Sequence, residues 1–123
     1  MNGSGFFVQV YRVTQRIPAG KVTSYGRIAQ MLGRPRAARA VGYALSALQD
    51  AGSGALYTSA TVPWQRVVNS QGRISIVNRT HTAAEQARLL REEGVMVDET
   101  GRVDLNLYLW EGLHLVELDD ILR

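Results

Sequence analysis

The apolar positions change period several times along this chain. Phe6, Phe7, Val10, Val13 and Ile17 fall on one helical face, which predicts an amphipathic helix over residues 5–17. Pro18 and Gly20 in "IPAGKV" end it. Ser24 is a good N-cap for a second helix over residues 25–32, closed by Gly33. Pro35 stands at the start of a third, from about Ala37 to Leu48, which is rich in small residues: Ala37, Ala38, Ala40, Gly42, Ala44 and Ala47. Two short helices joined by a glycine-containing turn make a helix-turn-helix pattern, and the small side chains of the second would let it lie close against another surface.

Beyond residue 48 the helical period is lost. "DAGSGALYTSAT", residues 50–61, reads as a loop. Residues 62–68 and 73–77 read as short extended segments on either side of the turn Asn69-Ser70-Gln71-Gly72. Thr82-Ala83-Ala84-Glu85 fits a capping box, so a helix is expected from Thr82 to Glu93 with Gly94 as its stop. "VMV", "DETG" and "RVDL" read as a small hairpin, and "LHLVELDDILR" as a final amphipathic turn or an interaction segment. The pattern predicts one small domain over residues 1–123, mostly α with a short β segment.

Composition narrows the chemistry. The 123 residues are 46% hydrophobic and 20% charged, which suits a globular domain. No apolar run approaches the ~18 residues that span a bilayer. The start, "MNGSGFF", lacks the basic region of a signal peptide, so the expectation is a cytoplasmic protein with no membrane role. There is no cysteine, which removes disulfides, thiolate metal sites and thiol nucleophiles together. The two histidines, His81 and His114, have no metal-ligand spacing, and neither a metal nor a cofactor is expected.

Charge is lopsided. Residues 1–80 carry nine arginines and Lys21 against one acid, Asp50, whereas residues 81–123 carry four arginines against ten acids. Arginine forks match phosphates and stack on bases. An arginine-rich N-terminal part points to a polyanion, most simply nucleic acid, although a solvated basic face would look the same.

Four residues have two readings each. Tyr25, at a helix start, is a half-buried tyrosine or a phosphate contact. Arg39 is a solvated side chain or a lone group projecting from an alanine-rich helix into a groove. Trp64 is core packing or part of a site. Glu93 sits at a helix C-terminus, where a negative charge is unfavourable without a specific partner.

Three stretches in order resemble one family. "IPAGKVTSYGRIAQMLGRPRAARAVGYAL", residues 17–45, is similar to the helix-turn-helix of the O6-alkylguanine-DNA alkyltransferases. "VPWQRVVNSQGRIS", residues 62–75, is similar to their active-site strand, and "LLREEGV", residues 89–95, to the segment that carries their glutamate. The resemblance covers about residues 5–97 and implies the fold of their C-terminal DNA-binding domain, with residues 98–123 as hairpin and tail. Their active-site motif is Pro-Cys-His-Arg. Here Trp64 stands at the cysteine position and Gln65 at the histidine, and tryptophan in that place marks the alkyltransferase-like members.

What this resemblance implies can be placed by position. Such proteins bind duplex DNA through the minor groove and flip the damaged base. Arg39 matches the arginine that fills the gap in the stack, and Tyr25 the tyrosine that crowds the adjoining phosphate. Arg36, Ala37, Ala38, Ala40, Gly42 and Ser70 would join them in contacting DNA. Trp64, Gln65, Arg66, Val67, Tyr25, Arg79 and Thr80 would line the lesion pocket. Glu93 matches a glutamate of the family's proton network, which without a cysteine becomes structural. The implied function is recognition of O6-alkylguanine without alkyl transfer, by a monomer that flags the lesion for nucleotide excision repair proteins.

Two departures concern detail. The loop "ALQDAGSGALYTSA" is longer than in the alkyltransferases and replaces an expected asparagine hinge. Ile76, Val77 and Asn78 stand where a basic residue often contacts the base, leaving Arg79 as the nearest candidate. Two alternatives come from other classes. One is an enzyme with a non-cysteine nucleophile in the same pocket, although Ser70 and Ser75 have no histidine close in sequence. The other is a helix-turn-helix regulator, although the segment from Ala37 to Gly42 offers base edges only one long polar group, Arg39.

Overall fold

The computed structural model describes residues 5–75 and 82–122. Its first helix, α1 (Gly5–Gln15), buries Val10, Tyr11, Val13 and Thr14 on one face. The Tyr11 hydroxyl donates 2.7 Å to the Ala44 carbonyl, which fastens α1 to the third helix.

A two-residue strand, β1 (Thr23–Ser24), runs directly into α2 (Tyr25–Met31). Ser24 serves both elements. Its backbone is extended, and its hydroxyl accepts from the Arg27 N–H at 3.2 Å as the expected N-cap. The helix closes with a Schellman turn. Gly33 takes the left-handed conformation at φ +75°, and the Arg34 N–H reaches back 2.9 Å to the Ala29 carbonyl. The third helix, α3 (Ala38–Ser46), begins after Ala37, which has no capping side chain, and is shorter than the pattern predicts.

Residues 62–68 differ from their expected extended form. Trp64–Arg66 is a single 3-10 turn, and only β2 (Val67–Val68) is strand. Nor does β2 pair locally. It lies parallel to β1, with Thr23 opposite Val67 and Ser24 opposite Val68. The 73–75 part of the second expected segment turns to the hairpin instead: Arg73 bridges Arg102, and the Ile74 N–H donates to the Gly101 carbonyl at 3.0 Å. Residues 76 and 77 of that segment lie outside the described residues. Paired with β1, the two strand residues serve two cores, since successive side chains point to opposite faces. Val67 enters a cluster with α1, α2, α3, Trp64, Trp110 and Ile121, while Val68 enters a second with Val22, Leu90, Val95, Val97 and Val103.

Helix α4 (Ala83–Glu92) starts where the capping signal places it, with the Thr82 hydroxyl accepting from the Glu85 N–H at 3.1 Å, and Gly94 at φ +89° stops it. The hairpin forms through Val97 and Val103. "RVDL" is only half strand, because Asp104 caps a short helix, α5 (Leu105–Tyr108), by accepting from the Asn106 N–H. The tail is a true helix, α6 (Leu115–Leu122), which buries Ile121. Among the described residues the architecture is mostly helical with a short two-stranded sheet.

Candidate nucleic-acid interface

Helices α2 and α3 present the basic, small-residue surface. Ala38, Ala40 and Gly42 are half-buried along α3, and Arg36 and Arg39 are exposed. The Arg39 guanidinium has no hydrogen bond or ion pair with any described residue, unlike Arg34, which lies 5.0 Å over the Phe6 ring. Gly42 faces the Tyr25 ring closely: a Cβ there would stand 4.0 Å from two ring carbons, an ordinary contact. Tyr25 is half-buried, and its hydroxyl accepts a long bond of 3.4 Å from Ser75. Burial pushes its phenol above the usual range despite that bond, so it stays neutral and keeps its proton for donation at ordinary pH.

The parallel sheet carries this surface to the Pro63-Trp64-Gln65-Arg66 turn. Ser24 caps α2, and its sheet partner Val68 is four residues past Trp64. Trp64 is only 2% exposed and Val67 fully buried, both in the cluster against which Tyr25 packs. Gln86, fully buried on α4, donates from its side-chain amide to the carbonyls of Gln65 and Val67 at 3.0 Å each. It fixes the turn from beneath. The motif reading missed it, although a glutamine on the apolar face of α4 was the available signal.

Gln65 and Arg66 meet Glu93. The Arg66 Nε and Nη2 donate to the Glu93 carboxylate at 2.8–3.1 Å, its Nη1 donates 2.7 Å to the Ile17 carbonyl, and Gln65 Nε2 donates 2.8 Å to Glu93 Oε2. The Gly20 N–H adds a longer bond of 3.5 Å. Burial alone would raise the Glu93 pKa. The bonds from Arg66 and Gln65 and the arginine's charge outweigh it and hold the carboxyl below its ordinary range. The partner that Glu93 requires at its helix end is therefore internal.

Of the other expected site residues, Ser70 is exposed on the turn after β2 and borders a different cavity, of about 700 Å³, with Met96 and Leu107. Arg79 and Thr80 lie outside the described residues. Beside α3 an open cavity of about 530 Å³ is bordered by Tyr25, Arg39 and Ser75, together with Tyr43 and Ser46, which the motifs did not single out.

Fold and site thus define a helix-turn-helix domain joined to a tryptophan-bearing turn by a two-residue parallel sheet. Residues 5–95 match the family described as 6-O-methylguanine DNA methyltransferase, DNA binding domain, and the chain belongs to that family. It is 42% identical over 106 residues to a DNA base-flipping protein of Vibrio parahaemolyticus, covering 86% of this chain and 96% of that one. It is 41% identical over 112 residues to alkyltransferase-like protein 1 of Schizosaccharomyces pombe, covering 86% and 94%. Among solved structures it is similar to S. pombe Atl1 in complex with damaged DNA containing O6-carboxymethylguanine, with a TM-score of 0.75 at 36% identity, covering 90% of this chain and 99% of that one.

Proposed function

We propose that this protein binds duplex DNA through α2 and α3, recognises guanine alkylated at O6, and leaves the base chemically unchanged. The observation that carries this reading is Arg39. It is exposed, has no partner among the described residues, and is flanked by Ala38 and Ala40, so it is the group there able to reach deep into a base stack. Lying in the minor groove, α3 would approach through Ala37, Ala38, Ala40 and Gly42, with Arg36 and Ser70 on the backbone. Tyr25 would crowd the phosphate beside the target, and Arg39 would fill the space left by the extruded base. Trp64, being covered, would support the base site from within the core rather than form an open wall. The cavity beside α3 and the likeness to Atl1 bound to damaged DNA support this arrangement.

Alkyl transfer has no thiolate to accept the group. The Gln65–Glu93–Arg66 cluster is a structural clamp, and the bound lesion would be handed on, by this reading to excision repair.

The test titrates matched duplexes containing guanine or O6-methylguanine with wild type and Arg39→Ala. Wild type binds the lesion duplex more tightly and leaves a labelled methyl group on the DNA. Arg39→Ala loses a stacking-sized 1–3 kcal/mol or so on the lesion duplex, and less on the undamaged one. Equal affinities for wild type, or label found on the protein, overturn the reading.

A further inference from the structure

We propose that Tyr43 forms the outer wall of the site that receives the extruded base, an inference that rests on the lesion-binding reading above. Tyr43 is 60% exposed and stands as a large aromatic side chain on a helix whose other outward positions are mostly small. Residues four apart on a helix share a face. Ala38, Gly42 and Ser46 therefore run along α3 as one row, and Arg39 and Tyr43 as the row beside it. Both rows border the same open cavity of about 530 Å³. Its far side is Tyr25, held to Ser75 across the gap between α2 and the segment after β2. The result is a trough with a floor of small side chains, one tyrosine on the far side and a second on the near rim.

The occupant that fits is a nucleobase from the strand on which α3 lies. A small-residue floor leaves room for a flat group. Tyrosine offers a stackable face with a polar tip, at low conformational cost. Arg36 and Arg39, at the same end of α3, supply positive charge for the phosphates that such a base brings with it. Trp64 cannot take the wall's role, because only 2% of it is exposed. Tyr43 holds the base once it is out, and Arg39 fills the space behind it.

The test measures binding of wild type, Tyr43→Ala and Tyr43→Phe to matched duplexes with guanine or O6-methylguanine, and the fluorescence of 2-aminopurine at the target position. For Tyr43→Ala the expected result is a roughly tenfold loss on the lesion duplex, the size of one stacking contact, with affinity for the undamaged duplex held within about twofold. Tyr43→Phe keeps the wild-type preference, because the ring face does the stacking. Unstacking of 2-aminopurine falls in Tyr43→Ala. Melting temperatures stay alike, since the side chain is exposed. If wild type discriminates and Tyr43→Ala discriminates equally, or loses the same factor on both duplexes, the wall assignment fails alone. If wild type itself shows no lesion preference, the lesion reading and this inference fall together.

Discussion

Glu93 shows how much one side chain's setting decides. It stands at the C-cap of α4, where the helix dipole disfavours its charge. Arg66 and Gln65 reverse that, and the depressed pKa makes the clamp sensitive to acid. A carboxyl held below its ordinary value of 4.5 stabilises the fold above that pH, and the benefit is lost as pH falls through the lower, folded value. Glu93→Gln keeps the shape but leaves the largely buried Arg66 guanidinium facing a neutral amide, costing about 1–3 kcal/mol. We expect its melting temperature to lie below wild type near pH 7, with the gap closing as pH falls below 4.5 and through the lower, folded value. A gap that stays constant across that range would mean the carboxylate's charge contributes nothing. The sequence signalled that Glu93 needs a partner but not which one. Arg66 lies twenty-seven residues away, and only the 3-10 turn, which the pattern of Val67 and Val68 disguised as strand, brings its side chain round.

At the level of elements, local signals were legible wherever a cap or a glycine terminates a helix. Ser24, Gly33, Thr82 and Gly94 all act as their residue types predict. Pairing across the chain was not legible. Two strands of two residues each carry almost no periodic signal, and their parallel register is set by the cores on either side of Val67 and Val68. Helix α3 holds an internal tension. Gly42 sits in its interior, where glycine costs roughly 0.5–1 kcal/mol relative to alanine. The space beside it would accept a methyl group in ordinary contact with Tyr25. Gly42→Ala should therefore raise stability by up to about 1 kcal/mol in urea unfolding, while weakening binding to the lesion duplex by filling space on the face of α3 that meets the DNA. A more stable variant that binds as well as wild type would remove Gly42 from the interface.

The molecule as a whole is divided in charge, and the division follows the fold. The arginine-rich N-terminal part supplies α2 and α3, and the acids gather on α4, the hairpin and α6. Binding should then fall steeply with salt, with log K losing about 0.9 per decade of salt for each phosphate neutralised. Replacing Arg36 should lower that slope by about one unit, whereas replacing Arg88, which pairs with Glu85 and Glu92 on α4, should leave it unchanged. A slope near zero would argue against phosphate contacts altogether. The arginine asymmetry was readable from the chain, but which arginines are already engaged became visible only with the fold. Arg66, Arg88 and Arg16 are all held by acids. The loop after α3 carries a different consequence. Its base is closed by a bridge between Gln49 and Thr58, and the Ser59 N–H donates to the Gln49 carbonyl at 2.8 Å. Residues 50–56 are exposed beyond that closure. Added length would enter outside the closed ring, and doubling a flexible loop costs only ~0.6 kcal/mol. Length there is thus a nearly free variable. A foreign peptide or a reporter inserted between Gly52 and Gly54 should ride on the domain without shifting the helices on either side.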